Sequence, residues 1–218
     1  MTPLVLGPLR AGRQMSYTDD TEFAIRNLID LATREEAALA EKVVFLNTAE
    51  QRLKVHQWDF QTSDLNEDFS DVYVMAAFAR AAQAARERDG ALREIDVLRA
   101  AVGTHQVAVQ AICGSILQIA KQGISLVHGG LAAAPQGRLI GKSYLKDVVW
   151  QARNQASHFD EGSYRSPVVS LFAALEESHG NSFCLAAHPR RSLARQVVHL
   201  LGWTTYEGYL ADARALGL

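Results

Sequence analysis

The 218-residue sequence lacks several features that would assign it to a familiar class of protein. It has only two cysteines, Cys113 and Cys184, and they show neither the C-x-x-C spacing nor the Cys/His spacing of zinc ligands. A disulfide framework or a zinc site is therefore not expected. The formal net charge of −2 argues against a surface that holds nucleic acid by charge alone, although it leaves room for a local basic pocket.

The sequence also lacks a recognisable targeting or membrane segment. The N-terminal stretch MTPLVLGPLRAGRQ is too short and too interrupted by proline and glycine for a signal peptide. No run reaches the roughly 18 apolar residues that a membrane span needs. We therefore predict a soluble cytoplasmic protein without a membrane partner.

Motifs of several common enzyme classes are missing as well. There is no G-x-x-x-x-G-K-S/T loop, no strand-linked G-x-G-x-x-G, no H-E-x-x-H and no carboxylate cluster suited to Mg²⁺. No serine or cysteine nucleophile is visibly paired with an oriented base. The sequence thus predicts no cofactor and no metal.

What is present is helical periodicity. Thr18 is predicted to cap a long helix that reaches about Trp58, and residues 67–88 are predicted to form a second, alanine-rich helix that ends at Asp89-Gly90. Residues 91–127 carry an a/d seam, with His105 in it and only Gly123 lacking a side chain. The seam consists of Ile95, Leu98, Val102, His105, Val109, Ile112, Ile116, Ile119 and Leu126.

These patterns predict an all-α protein, a helical bundle built on two long antiparallel helices with extra C-terminal helices. Residues 1–17 read as an irregular N-terminal arm, 18–162 as the main helical domain, and 163–218 as a helical extension packed on the same domain. Pro167 is expected in the first turn of one of these later helices, and Pro189 is expected to open a last helical stretch broken by Gly202 and Gly208.

The stretch WQARNQASHFD, residues 150–160, lies in a helix predicted from Ser143 to about Gly162. Its apolar stripe comprises Leu145, Val148, Val149, Ala152, Ala156 and Phe159. At 100° per residue, Asn154 and His158 are i, i+4 neighbours on the opposite face, with Arg153 on the flank. Trp150 and Ser157 share that polar face.

This set of side chains suits metal-free cleavage of RNA. A histidine can take a proton from a ribose 2′-OH or give one to the leaving oxygen. An arginine can hold the phosphate and stabilise its developing charge through a fork of donors. An asparagine can orient either group. We therefore predict that Arg153, Asn154 and His158 are catalytic.

At these residues the chain resembles the HEPN superfamily, whose mark is an arginine, a polar residue directly after it, and a histidine four to six residues beyond. HEPN domains are all-α bundles with two long helices, and many are metal-independent endoribonucleases of toxin–antitoxin, CRISPR and antiviral systems. The resemblance covers residues 20–162 and implies a homodimer in which two motifs form one composite site. Members paired with nucleotidyltransferases carry a tyrosine two residues after the histidine. This chain has Asp160 at that position, which argues against membership of that subgroup.

Other residues receive supporting roles with stated alternatives. Glu36 interrupts an apolar row and is a candidate to orient His158 or Arg153, or else an edge residue. Trp150 is a candidate for dimer contact or base stacking, or else packs under the terminal helices. Ser157 lies between the motif groups. Lys142 and Lys146, together with Arg190 and Arg191 at a predicted helix start, are possible phosphate-binding residues or a solvated face.

The predicted function is a metal-independent endoribonuclease that cleaves single-stranded RNA by 2′-OH attack across a homodimer, with RNA as its partner and an antitoxin or complex subunit as a possible second one. The alternative is a catalytically silent all-α dimerisation or RNA-binding module of a defence or regulatory complex. A weaker third reading is a helical sensor of a small ligand.

Overall fold

The structure, a computed structural model, describes residues 16–62 and 71–218. Within these ranges it contains α1 (Tyr17–Thr62), α2 (Asp71–His128), β1 (Leu139–Ile140), β2 (Ser143–Tyr144), α3 (Leu145–Ser157), α4 (Ser166–His179), α5 (Ala194–Leu201) and α6 (Tyr206–Ala215). Single 3₁₀ turns follow α3 and α4, at Phe159–Glu161 and Asn181–Phe183. The all-α prediction is confirmed. Residues 1–15 of the predicted arm lie outside the described residues, and so do residues 63–70, which include the predicted start of the second helix at residue 67.

Two compact units share these elements. The terminal unit contains the described residues up to Ile29 together with Gly114–Leu218, and the middle unit is Asp30–Cys113. Both unit boundaries fall inside helices, because α1 spans Tyr17–Thr62 and α2 spans Asp71–His128 without interruption. Each unit is described by itself below.

Helix α1 begins at a reciprocal cap made by Ser16. The Asp19 amide donates to Ser16 Oγ at 3.2 Å, and the Ser16 amide donates to Asp19 Oδ2 at 3.1 Å. Two backbone donors of the first turn are satisfied in this way. The prediction that Thr18 is the cap is wrong by two residues, because Thr18 is buried in the first turn and its hydroxyl donates to the Leu218 carbonyl.

Helix α2 continues through Asp89-Gly90, where the sequence predicted an end. Gly90 keeps helical backbone geometry and does not adopt the positive φ of a C-terminal glycine. A glycine inside a helix costs only about 1 kcal/mol, which packing along a helix of this length offsets. The predicted boundary at residues 89–90 is therefore wrong, and a single 58-residue helix takes the place of two.

Contacts between acidic side chains and arginine or histidine side chains join the two helical segments of the middle unit. Glu35 pairs with His105 at 2.7 Å, Glu50 with Arg99 at 2.8 Å, Arg52 with Glu94 at 3.0 Å, and His56 with Glu87 at 3.1 Å. As the residue number rises along α1, the partner's number falls along α2, so the two segments run in opposite directions here. His105 of the seam is thus hydrogen-bonded to Glu35.

The core of the terminal unit closes around Gly123 of α2. A β-carbon at this position would lie 2.6 Å from Tyr17 Cε1 and 2.9 Å from Leu218 Cδ1. The missing side chain in the seam therefore makes room for two other side chains. Leu126, the next predicted seam residue, is 76% exposed and does not belong to the core.

A buried carboxylate ties the C-terminal helices to the loop before α3. Arg138 Nε and Nη2 donate to the two oxygens of Asp212 at 2.7 and 2.8 Å, and Trp203 Nε1 donates to the same carboxylate at 2.9 Å. Arg138 Nη2 also donates to the Leu201 carbonyl at 2.8 Å. Asp212 is buried, and its charge is compensated by the guanidinium.

The last helices begin and end differently from the prediction. Helix α5 starts at Ala194 and not at Pro189, and Gly202 ends it in the left-handed conformation with φ 73°. Gly208 lies inside α6, where a β-carbon would be 2.4 Å from the Gly202 carbonyl oxygen. This glycine therefore allows close backbone approach and does not break the helix.

Within the described residues, one helix, α2 from Val74 onward, is long and apolar enough by length and composition to cross a membrane. Core helices of soluble proteins pass the same test, so this is weak evidence. Neither cysteine forms a disulfide within the described residues; Cys113 is buried and Cys184 half-buried.

Candidate functional site

Helix α3 carries Arg153 and Asn154 of the R-N-x₃-H motif and begins directly after the β1–β2 hairpin. Its predicted stripe is largely confirmed, because Leu145, Val148, Val149 and Ala152 are buried. The stripe packs against α4 and α5. Ala156 and Phe159, also predicted to be buried, are only half-buried; Phe159 lies beyond the end of the helix.

Gln155 is a buried polar residue that the sequence analysis missed. It is 0% exposed, and its Nε2 donates to the Arg191 carbonyl at 2.8 Å and to the Tyr164 hydroxyl at 3.1 Å. Its Oε1 accepts from the Leu193 amide at 2.9 Å. Because the whole carboxamide is paired, this burial carries little penalty and fixes the segment before α5 to the motif helix. The sequence signal for this burial is that Gln155 falls on the apolar stripe of the helix.

Arg153 and Asn154 form a small polar chain on α3. Arg153 Nε donates to Gln118 Oε1 of α2, and Arg153 Nη1 lies 3.5 Å from Asn154 Oδ1. Asn154 Nδ2 donates to Gln151 Oε1 at 3.2 Å. Both motif side chains are half-buried. The guanidinium is therefore held through its Nε edge, which leaves Nη2 without a protein acceptor among the residues described.

His158 lies just beyond the end of α3. The helix ends at Ser157, and His158 is its C-terminal cap with φ −129° and ψ 19°, so the prediction of a helix to about Gly162 is wrong. The His158 amide donates to the Gln155 carbonyl at 3.3 Å, the shorter spacing of a helix end. The His158 side chain is 51% exposed, and its Nδ1 lies 2.5 Å from Glu161 Oε1.

The Glu161 contact determines what the imidazole can do. An ionised carboxylate only accepts hydrogen bonds, so this bond requires a proton on Nδ1. The other ring nitrogen, Nε2, then carries the lone pair in the neutral form and is the atom that can exchange a proton with a ligand. Glu161 was not identified from the sequence, where it reads as one more acidic residue of an exposed turn.

Trp150 is covered by the protein's own α2. Lys121 Nζ stands over the indole ring at 4.4 Å from its centroid, and the side chain is half-buried. This is a cation–π contact within the chain. Ser157 is exposed at the end of α3 beside His158.

The two lysines near the start of α3 are engaged elsewhere. Lys142 Nζ forms an ion pair with Glu177 of α4. Lys146 Nζ donates to the Leu131 and Ala134 carbonyls at 3.2 and 3.0 Å. Lys146 therefore closes the turn after α2, and a role of the two lysines in phosphate binding stays a prediction.

Arg190 and Arg191 do not sit at a helix start, because α5 begins only at Ala194. They lie in an exposed turn in which the Arg191 amide donates to the His188 carbonyl at 3.3 Å. The expectation that helix N–H groups would add to their phosphate affinity is thus wrong. Glu36 belongs to the middle unit and is half-buried, and its role at the motif stays a prediction.

In the described part of the chain, no group of three or more His, Cys, Asp or Glu side chains could hold a metal ion. The chain matches no known family model, and no significant match exists among the curated proteins or the solved structures.

Proposed function

We propose that the protein is a metal-independent endoribonuclease of HEPN type that cleaves single-stranded RNA. The observation that supports this most is the paired anchoring of the motif: Gln118 holds the Arg153 guanidinium and Glu161 holds the His158 imidazole. On each group one nitrogen has no partner among the described residues, Nη2 of the arginine and Nε2 of the histidine, and this atom can contact a substrate. The two long helices, α1 and α2, agree with the HEPN resemblance.

In this proposal His158 Nε2 removes the proton from a ribose 2′-OH. The 2′-oxygen attacks the adjacent phosphorus, the bond to the 5′-oxygen of the next nucleotide breaks, and a 2′,3′-cyclic phosphate forms. A second acid, His158 of the partner copy or a water molecule, protonates the leaving 5′-oxygen. Arg153 binds the non-bridging oxygens, whose charge grows during attack. Asn154 orients the guanidinium.

We infer a homodimer from an exposed face of α2 that does not contribute to the core of the protein. Helix α2 carries a second row at alternating three-four spacing on the side opposite its buried seam, and every residue in it is exposed. The row comprises Val97, Ala100, Thr104, Val107 and Ala111. Val97 and Val107 are 69% and 71% exposed, which is unfavourable unless another surface covers them. A second copy would supply that surface.

The alternative, a silent dimerisation or RNA-binding module, has one observation in its favour. Arg153 and His158 bind different partners, Gln118 and Glu161, and no hydrogen bond joins them in the described chain. Such an arrangement can hold a phosphate without cleaving its ester. For either function we propose a cytoplasmic location and a defence or regulatory role, with an antitoxin or complex subunit as a possible further partner.

The experiment is RNA cleavage in excess EDTA. We expect the protein to cut single-stranded RNA to products with 2′,3′-cyclic phosphate, and to leave DNA of the same sequence intact because it lacks the 2′-OH. His158→Ala should lose at least ~10²-fold in rate, the usual size of a general acid–base contribution. Arg153→Lys should also be slow, because an ammonium cannot reproduce the planar fork.

The matched control is His179→Ala, which removes an exposed histidine of α4 outside the motif and should keep full activity. Circular dichroism should show that all variants are folded, because surface substitutions usually change stability by about ±0.5 kcal/mol. Activity that requires a metal, or that persists in His158→Ala, would refute the mechanism. A protein that binds RNA but never cuts it would favour the silent module.

The dimer is tested by light scattering at micromolar concentration. We expect a dimer for the parent protein and a monomer for the double variant Val97→Glu, Val107→Glu, because four carboxylates would be buried at a two-fold contact. Val169→Glu, at an exposed position of α4, is the control and should stay dimeric. A monomeric parent protein would remove the composite site.

A further inference from the structure

The turn before α5 holds an arginine in a conformation that arginine rarely adopts. Residues 188–191 form a turn closed by the Arg191 amide and the His188 carbonyl, with Pro189 second and Arg190 third. Arg190 has φ 52° and is the only non-glycine residue with positive φ among those described. Turns with proline second and positive φ third usually place glycine or asparagine there. Such backbone strain is tolerated where the surroundings hold it, often at ligand sites.

Gln155 holds the turn of residues 188–191 in this conformation. Its buried carboxamide binds the Arg191 carbonyl and the Leu193 amide, two backbone groups shortly after Arg190. Gln155 lies on α3 three residues before His158, so the turn is fixed to the end of the motif helix. The same carboxamide binds Tyr164, which brings the loop of residues 162–165 to the same place.

The side chain of Arg190 reaches back toward the motif. A β-carbon added to Gly162 would lie 3.2 Å from Arg190 Nε and 3.7 Å from its Nη2. Gly162 is four residues beyond His158 and closes the 3₁₀ turn that contains Glu161. The Arg190 guanidinium therefore lies against the turn that carries His158 and its carboxylate partner.

The charges of this surface are unbalanced toward positive. Arg190, Arg191 and Arg165 are all exposed, and none of them forms an ion pair with a residue in the described ranges. Of the two acids on the neighbouring turn, Glu161 is bound to His158 and Asp160 is exposed. An unpaired guanidinium beside a proton-transfer group suits an RNA phosphate, and exposed arginines directly after it in the chain and in the loop of residues 162–165 suit a polyanion whose phosphates repeat along a strand.

We propose that Arg190 and Arg191 bind phosphates of the RNA strand next to the one that is cleaved, and that the strained turn held by Gln155 presents them. This inference rests on the proposed function, since it names the substrate contacts of the same site. It differs from general charge attraction because it assigns the contacts to one turn. It also predicts that a substitution of Arg190 can weaken RNA binding without lowering the stability of the fold.

The test uses an RNA strand with 2′-O-methyl groups, which cannot be cleaved, and measures its binding by fluorescence anisotropy between 50 and 200 mM salt. Arg190→Gly suits the positive φ, so we expect it to keep or slightly raise the melting temperature. It should weaken binding about threefold to tenfold and lower the salt slope by about 0.7, the value for one phosphate contact of a single strand. Arg190→Lys should retain most of the slope.

The control is Arg93→Ala, which removes one exposed arginine from the middle unit and should leave the slope unchanged. Unchanged affinity and slope in Arg190→Gly would overturn the inference, and so would a failure of the parent protein to bind the strand. Binding is measured without cleavage, so the two proposals fail separately. Loss of binding in Arg190→Gly supports the phosphate contact even if no cleavage occurs. Cleavage that does not depend on Arg190 refutes the phosphate contact and leaves the proposed function standing.

Discussion

Gly90→Ala tests whether α2 passes through residues 89–90 as one helix. Gly90 is helical, and a β-carbon built on it meets nothing within 4 Å. Alanine in a helix interior is more favourable than glycine by about 0.5–1 kcal/mol, because glycine loses more backbone freedom on folding. For a chain of this size, each kcal/mol raises the melting temperature by about 2–4 °C. We therefore expect a small but measurable stabilisation.

Two further glycines make the comparison decisive. Gly103 lies in the same helix and also has open space, so Gly103→Ala should give the same gain. Gly202 has equally open space but a φ of 73°, so Gly202→Ala should instead cost about 1–2 kcal/mol. The three substitutions add the same methyl group, and only the backbone conformation differs.

The assay is urea denaturation followed by circular dichroism at 222 nm, with thermal melting as a second measure. Gains for Gly90→Ala and Gly103→Ala, with a loss for Gly202→Ala, are the expected pattern. If Gly90→Ala loses stability as Gly202→Ala does, the chain has a left-handed residue at Gly90 and α2 ends there. The continuous helix would then be refuted.

Three other substitutions follow from the packing. Gly208→Ala should lower the melting temperature by several degrees, because the new carbon would lie 2.4 Å from the Gly202 carbonyl oxygen; an unchanged melting temperature would contradict that contact. Tyr209→Phe should be neutral or stabilising in thermal melts, since the buried Tyr209 hydroxyl has no partner in the described structure, and a large loss would show that it does. Burial raises the pKa of Tyr209 above its ordinary 10, so the folded state keeps a proton that the unfolded state releases. Stability should therefore fall as pH rises above about 10, and less steeply in Tyr209→Phe, as measured by urea denaturation at several pH values. Asp212→Ala should cost about 3 kcal/mol in urea denaturation, because it leaves the Trp203 indole N–H buried without an acceptor; a cost below about 1 kcal/mol would mean that the carboxylate is not needed.

Periodicity predicted the helical class and the buried face of the motif helix, because apolar spacing reports directly on which side of a helix is covered. It failed where local and tertiary effects compete. Asp89-Gly90 has the composition of a helix end, yet the segments on either side are helical and the break does not occur. Thr18 and Ser16 are both good caps, and only the reciprocal bonds with Asp19 select Ser16.

The candidate site was predicted in part for similar reasons. The motif identifies Arg153 and His158 by type and spacing, but not Gln118 or Glu161, whose roles depend on where α2 passes and on where α3 ends. The position of Gln155 on the apolar stripe indicates burial, but its three partners lie nine to thirty-eight residues away and cannot be identified from the local sequence. Lys146 looks like a basic-patch residue and is instead a donor to two carbonyl groups.

The meeting of distant residues around Gly123 has a consequence for how the chain folds during synthesis. The Tyr17 hydroxyl donates to the Ile119 carbonyl 102 residues away, and the Thr18 hydroxyl donates to the Leu218 carbonyl 200 residues away. Residues 30–113 need only each other and can pair soon after they leave the ribosome. The first turns of α1 must wait for residue 218. The N-terminal part of that helix therefore stays unburied while the 200 residues that follow Thr18 are made, and during that time it is open to chaperones and proteases.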